Sequence, residues 1–165
     1  MFDRLLTPFR SRRRPLILAS PLAGRVVSLG EVNDEVFASG MLGEGVAIQP
    51  LSNRVVAPAD AKVEVIFPTG HAVALRTDDG LDILIHLGLN TVNLNGEHFV
   101  VHAQPGDTVR RGQVLIEFDR RAIASAGFDT IVPVLLRNAL EFSSVKPVVN
   151  EIVNELDDLI RVRPR

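Results

Sequence analysis

Four histidines, His71, His86, His98 and His102, hold most of the chemistry available to this chain of 165 residues. There is no cysteine, which excludes thiolate catalysis, disulfides and cysteine-based zinc sites. His71 and His86 bracket the segment HAVALRTDDGLDILIH, which reads as strand, turn, strand, with Thr77-Asp78-Asp79-Gly80 as the turn. If Asp78 and Asp79 form its centre, the two histidines oppose each other directly, with Cβ atoms about 4.5–5.5 Å apart. A loop centred on Asp79 and Gly80 makes them diagonal neighbours instead. Two imidazoles so placed can address one anion or one metal ion. An inert solvated pair, a metal site and a phosphoryl or acid–base site are all compatible with the spacing.

A zinc peptidase is disfavoured, because neither H-x-H nor H-x-x-x-H occurs, although Asp82 could in principle be a third ligand. A biotin or lipoate carrier would need an acceptor lysine at a tight turn. The only lysines, Lys62 and Lys146, lie in no such context.

The elements that must position the pair are strands. PLILASPL, GRVVSL, GVAIQP, NRVVAP, AKVEVIF, HAVALRT, LDILIHLGL, HFVVHA and QVLIEF are short Val/Ile/Leu-rich runs punctuated by Pro, Gly, Asn and Asp. This predicts an all-β, antiparallel sandwich or barrel with little helix. One short helical turn is expected within 123–130, and the C-terminal EIVNEL and LIRV are read as strands. SPLAGRVVSL (20–29) and APADAKVEVIF (57–67) look alike, a hint of internal repetition. Along LDILIHLGL, residues 81, 83, 85, 87 and 89 form an unbroken apolar face that belongs in the core. His86 therefore points to the other, polar-bearing face, where a partner can reach it.

The composition suits a globular domain: 46% hydrophobic and 23% charged, with no Trp or Tyr and 8 Phe. The net charge of −2 gives no reason to expect a nucleic-acid partner. No run of about 18 apolar residues could span a bilayer. Residues 1–15, MFDRLLTPFRSRRRP, form a distinct basic tail with five arginines and one acid. Phe2, Leu5, Leu6 and Phe9 share one helical face, which Pro8 interrupts. A flexible solvated tail and a weak anchor on anionic lipid are the two readings.

From residue 16 to about residue 163 the chain resembles the glucose-type enzyme IIA of the phosphoenolpyruvate-dependent sugar phosphotransferase system. The resemblance rests on SPLAGRVVSL, DEVFASGMLGEGVAIQP, VVAPADAKVEVIFPTGHAVAL, DGLDILIHLGLNTVNLNGEHF, GDTVRRGQVLIEFD and PVLLRN, in that order. It implies an antiparallel β-sandwich of barrel-sandwich (duplicated hybrid motif) type spanning 16–165. It also implies a phosphoryl carrier in which His86 takes the group on Nε2 from the phosphohistidine of HPr. The group then passes to a cysteine of the cognate enzyme IIB, for uptake through the IIB/IIC permease. His71 would help to hold the phosphate, Thr69 would bond to His71, and the Gly88 carbonyl would hold Nδ1 of His86.

The same resemblance implies a docking depression at Asp34, Val36, Phe37, Met41, Leu42, Phe67, Leu84, Gly88, Asn90 and Val92. No cofactor is required, though zinc could bind at His71 and His86 if a partner adds a carboxylate. A cytoplasmic protein, peripheral to the inner membrane face when engaged with the permease, is expected, with regulatory partners as a further option. The start at Met1 and the short length suggest a free-standing component. Asn90 stands where enteric members have an acid, Gly70 where they have Asn. The sugar is not specified. The competing reading is a two-histidine zinc-binding or regulatory module without phosphotransfer.

Overall fold

The structure, a computed structural model, describes residues 13–165; the basic segment at the N-terminus lies outside the described residues as far as residue 12. The strands are β1 (Leu16–Ala19), β2 (Gly24–Ser28), β3 (Glu44–Pro50), β4 (Arg54–Val56), β5 (Ala61–Ile66), β6 (Ala72–Thr77) and β7 (Asp82–His86), followed by β8 (Phe99–Val101), β9 (Thr108–Val109), β10 (Val114–Phe118), β11 (Val132–Leu136), β12 (Phe142–Pro147), β13 (Ile152–Val153) and β14 (Asp158–Pro164). Helix is confined to α1 (Glu35–Ala38), α2 (Arg120–Ser125) and three short 3-10 turns among the described residues. All strand pairs are antiparallel.

An eight-stranded sheet runs β13-β2-β3-β11-β7-β6-β5-β9, and three-stranded sheets run β1-β14-β12 and β4-β10-β8. This is the expected all-β sandwich with little helix, and the C-terminal segments are strands as expected. The short helix begins at Arg120, earlier than the 123–130 reading, because Asp119 caps it by accepting the Ala122 N–H. The four-residue α1 has too few turns to show a helical period; it starts where Asp34 accepts the Val36 N–H.

The hint of repetition is a duplication of the fold. Ile17↔Arg161, Leu18↔Ile160 and Ala19↔Asp158 recur as Arg54↔Glu117, Val55↔Ile116 and Val56↔Val114, with the register irregularity at the same step. Arg25↔Ile152 and Gly24↔Val153 recur as Lys62↔Thr108 and Ala61↔Val109. The halves exchange reciprocal hydrogen bonds, Val56 N–H to the Pro21 carbonyl and Ala19 N–H to the Pro58 carbonyl. The strand order of the large sheet is a palindrome under this correspondence, which pairs β7 with β11 at its centre. Leu135 of β11, opposite Gly45, takes the place that His86 of β7 takes opposite Ala72. The histidine chemistry therefore sits in one half of the repeat.

Leu81, Ile83, Ile85 and Leu87 are buried in the large core cluster, as the alternation requires. Leu89 departs from it. Gly88 takes φ +82, the pleat ends, and Leu89 joins a second cluster on the other side of the sheet, formed by Val27, Leu29, Val32, Phe37, Ala47, Ile131 and Leu135. The face bearing His86 is thus roofed by a small core of its own rather than being simply polar. The apolar area removed from water on both faces, at roughly 25 cal/mol per Å², holds the central strands rigid under the site.

Candidate functional site

His86 is the last residue of β7, half-buried, with Leu84 behind it packed against the second cluster. Its Nδ1 lies 2.7 Å from the carbonyl oxygen of Gly88. A carbonyl only accepts, so the neutral ring must carry its proton on Nδ1 and leave the Nε2 lone pair bare. Gly88 can do this only as glycine. It has φ +82, and a Cβ there would lie 2.6 Å from Thr91 Cγ2 and 2.8 Å from the Asp129 carbonyl oxygen.

His71 follows the β-turn Phe67-Pro68-Thr69-Gly70, closed by the Gly70 N–H on the Phe67 carbonyl at 2.7 Å. Gly70 then takes φ +75, the left-handed step that ends the turn. A Cβ at Gly70 would meet Phe99 Cβ at 2.8 Å and Val101 Cγ2 at 3.1 Å, so crowding adds to the positive φ in disfavouring a side chain there. Thr69 Oγ1 lies 2.6 Å from His71 Nδ1. With the hydroxyl donating, the neutral ring carries its proton on Nε2, as a donor.

The rings of His71 and His86 meet with centroids 5.3 Å apart at 75°. Their register differs from both expectations. Ala72, not His71, opposes His86, and the Leu87 N–H donates to the His71 carbonyl at 2.7 Å. The reason is the loop: the Gly80 N–H bonds to the Thr77 carbonyl and the Thr77 N–H to the Leu81 carbonyl, leaving Asp78, Asp79 and Gly80 between them, with Gly80 at φ +88. A regular pleat with this offset would send the two rings to opposite faces. His71 escapes that rule because it precedes β6 and follows a left-handed glycine.

Phe67 packs on His71 and Phe37 on His86, each with centroids 5.0 Å apart. This burial lowers the basicity of both histidines. For His71 desolvation is the larger cause and the neighbouring His86 adds to it. For His86 desolvation is opposed by the Gly88 hydrogen bond and by the carboxylate of Asp34. The shift favours the neutral form of both rings. Two adjacent imidazoles, His86 with a bare Nε2 and His71 with a protonated Nε2 when the Thr69 hydroxyl donates, can accept and then steady one electrophilic anion.

Residues 16–142 match the family described as phosphoenolpyruvate-dependent sugar phosphotransferase system, EIIA 1. The chain belongs to this EIIA family. A glucose-specific EIIA component of Oceanobacillus iheyensis is 35% identical over 163 residues, 98% of this chain and 99% of that protein. A mannose-specific EIIBCA component of Corynebacterium glutamicum is 46% identical over 145 residues, 88% of this chain. The chain spans 21% of the length of that relative, in which the A component is fused to B and C components. The solved glucose permease IIA from Mycoplasma capricolum superposes with a TM-score of 0.81 at 33% identity, covering 90% of this chain and 96% of the other.

In this EIIA chain Val36, Met41, Leu42, Phe67 and Val92 are exposed, Met41 by 78%, and Phe67 is the one of them that packs on a histidine ring. Asn90 is exposed at φ +59, a left-handed position that Asn tolerates well. Phe37 at 6% exposure and Gly88 are buried, so they support the site from beneath. Leu84 is half-buried.

The other histidines lie elsewhere. His102 Nε2 is 2.7 Å from Glu117 Oε2, and His98, at φ +73, gives its carbonyl to the Asp119 N–H. Asp82 is committed to Arg137, whose Nη2 is 2.7 Å from Oδ1. No group of three metal-ligating side chains occurs among the described residues. His71 and His86 could supply two imidazole nitrogens to a zinc ion whose remaining ligand came from a partner. Among the described residues, no helix is long and apolar enough to cross a membrane. The sequence reading gave no role to Thr91 and Asp129, which bond the Leu87–Leu89 loop; a Thr four residues after the apolar Leu87 was the available signal.

Proposed function

We propose that this EIIA chain is a phosphoryl carrier in which Nε2 of His86 takes the group from the phosphohistidine of HPr and yields it to a cysteine of an enzyme IIB coupled to sugar uptake. One observation carries the reading: the 2.7 Å bond from Nδ1 of His86 to the Gly88 carbonyl, which leaves Nε2 as a nucleophile beside a second imidazole. As the donor N–P bond breaks, a new one forms at Nε2 of His86, and the proton stays on Nδ1, hydrogen-bonded to the Gly88 carbonyl. The phosphorylated ring then leaves as a neutral imidazole in the onward step. Transfer of this kind needs positioning and charge stabilisation. His71, with Thr69 holding Nδ1, turns an Nε2–H donor toward the phosphoryl oxygens. The exposed apolar residues Val36, Met41, Leu42, Phe67 and Val92 are the docking face for HPr and the permease, residues 16–165 being the carrier domain.

Incubation with phosphoenolpyruvate, enzyme I and HPr, read by intact mass, tests this. One acid-labile phosphoryl group is expected, lost in His86→Ala. His71→Gln should still accept the group while onward transfer to enzyme IIB fails. No mass increase with a competent HPr, or a label retained in His86→Ala, would overturn the assignment.

A further inference from the structure

The loop after His86 is bonded at every polar atom of two consecutive peptide units. In the first, the Leu87 carbonyl accepts from Thr91 Oγ1 at 2.6 Å and the Gly88 N–H donates to the Ile131 carbonyl at 3.0 Å. In the second, the Leu89 N–H donates to the Asp129 carbonyl at 3.0 Å, and the Gly88 carbonyl faces His86. A trans peptide is planar, with its N–H and C=O pointing opposite ways. Anchoring the Leu89 N–H on Asp129 therefore aims the Gly88 oxygen at Nδ1 of His86.

Asp129 is itself set by its side chain, whose Oδ1 accepts the Ile131 N–H at 2.9 Å. That bond ties together the two carbonyls, of residues 129 and 131, that receive the loop. Thr91 is fully buried, one of four buried polar or charged residues among those described. Its methyl lies 2.6 Å from where a Cβ of Gly88 would be. A buried hydroxyl must be bonded, and this one is spent on the loop and not on the imidazole.

We infer that Thr91 and Asp129 are positioning residues that hold His86 in its Nδ1–H form by fixing the Gly88 peptide. Neither is hydrogen-bonded to the ring, whose Nδ1 partner is the Gly88 carbonyl. The inference rests on the phosphocarrier reading for its consequence in rate, but the tautomer it predicts is independent of any transfer. Without the Thr91 hydroxyl the Leu87–Gly88 peptide loses the bond at its carbonyl, Gly88 can turn about its own φ and ψ, its carbonyl leaves Nδ1, and the proton can move to Nε2, the atom that must attack. Donation of the Leu89 N–H also polarises the Gly88 carbonyl and strengthens it as an acceptor, the role that outer hydrogen bonds play for ligating histidines.

The test compares the full chain with Thr91→Val, which keeps the shape and loses the hydroxyl, Thr91→Ser, which keeps the hydroxyl, and Asp129→Ala at an exposed position. Long-range ¹H–¹⁵N spectra of the histidine rings read the tautomer without HPr. A single Nδ1–H form of His86 is expected in the wild type and in Thr91→Ser, and a mixture in Thr91→Val and Asp129→Ala. Phosphoryl acceptance should fall about tenfold in kcat in the two mixed variants, with KM for HPr unchanged, and recover in Thr91→Ser. A pure Nδ1–H form in both Thr91→Val and Asp129→Ala would overturn the inference. Were Thr91→Val not to fold, Asp129→Ala decides alone. A mixed tautomer in a chain whose wild type accepts no phosphoryl group would uphold the cradle and sink the carrier reading.

Discussion

Phe37 lies against His86 with ring centroids 5.0 Å apart and planes tilted by 59°, joining the small second core to the candidate nucleophile. Removing that ring should act twice. Phe37→Ala is expected to cost about 3–5 kcal/mol of stability, measured by denaturant unfolding followed by circular dichroism, since the chain has no Trp or Tyr. It should also admit water and raise the titration midpoint of His86 toward the ordinary value. An unchanged midpoint would mean that Phe37 does not desolvate the ring.

Burial holds both imidazoles below the ordinary histidine value of about 6.5. Below that pH the unfolded chain binds more protons than the folded one, so folding stability rises with pH through this window. The contribution is complete above about pH 6.5 and is lost as the pH falls from there toward the lowered folded-state values. The wild type should lose more stability between pH 7.5 and pH 5.5 than His71→Gln, which lacks one of the two groups. Equal losses would place the pH dependence elsewhere.

Gly88→Ala forces a Cβ onto a left-handed backbone and against Thr91 and Asp129. A cost of about 1–2 kcal/mol is expected from the backbone alone, with more from the contacts. His86 should lose its Nδ1 partner in the same variant, and its ring spectrum would report both tautomers. A wild-type spectrum with wild-type stability would remove the geometric requirement for glycine.

Met41 is exposed by 78% and belongs to neither core cluster, and it is one of the residues proposed for the docking face. Met41→Glu should leave the unfolding midpoint unchanged and raise KM for HPr about tenfold, equivalent to about 1.4 kcal/mol of docking energy, with kcat retained. A KM equal to the wild type would take Met41 out of the docking face.

Treatment with a chelator is expected to leave phosphoryl acceptance unchanged, because two imidazoles without a third ligand hold zinc weakly. Loss of acceptance on chelation, restored by zinc, would favour the metal-binding reading.

The strands were legible because Val/Ile/Leu runs broken by Pro, Gly and Asn have few other ways to bury their apolar faces. The inward set Leu81, Ile83, Ile85 and Leu87 follows from period two alone. The approach of His71 and His86 was legible as well, since a short turn between two strands brings their outer ends together whatever its details. Three features were decided only by tertiary structure. The hairpin loop took three residues and shifted the register by one, a choice set by Gly80 at φ +88. His71 reached the face of His86 because Gly70 at φ +75, crowded by Phe99 from a distant segment, re-aimed the chain. The proton on His86 was placed by Gly88, whose carbonyl is aimed by Asp129 and Thr91, and Asp129 lies on a loop 43 residues further along the chain. Alternation is a local property of backbone geometry and can be read along the chain. A hydrogen bond that fixes a tautomer joins groups brought together by folding, and no local pattern encodes it.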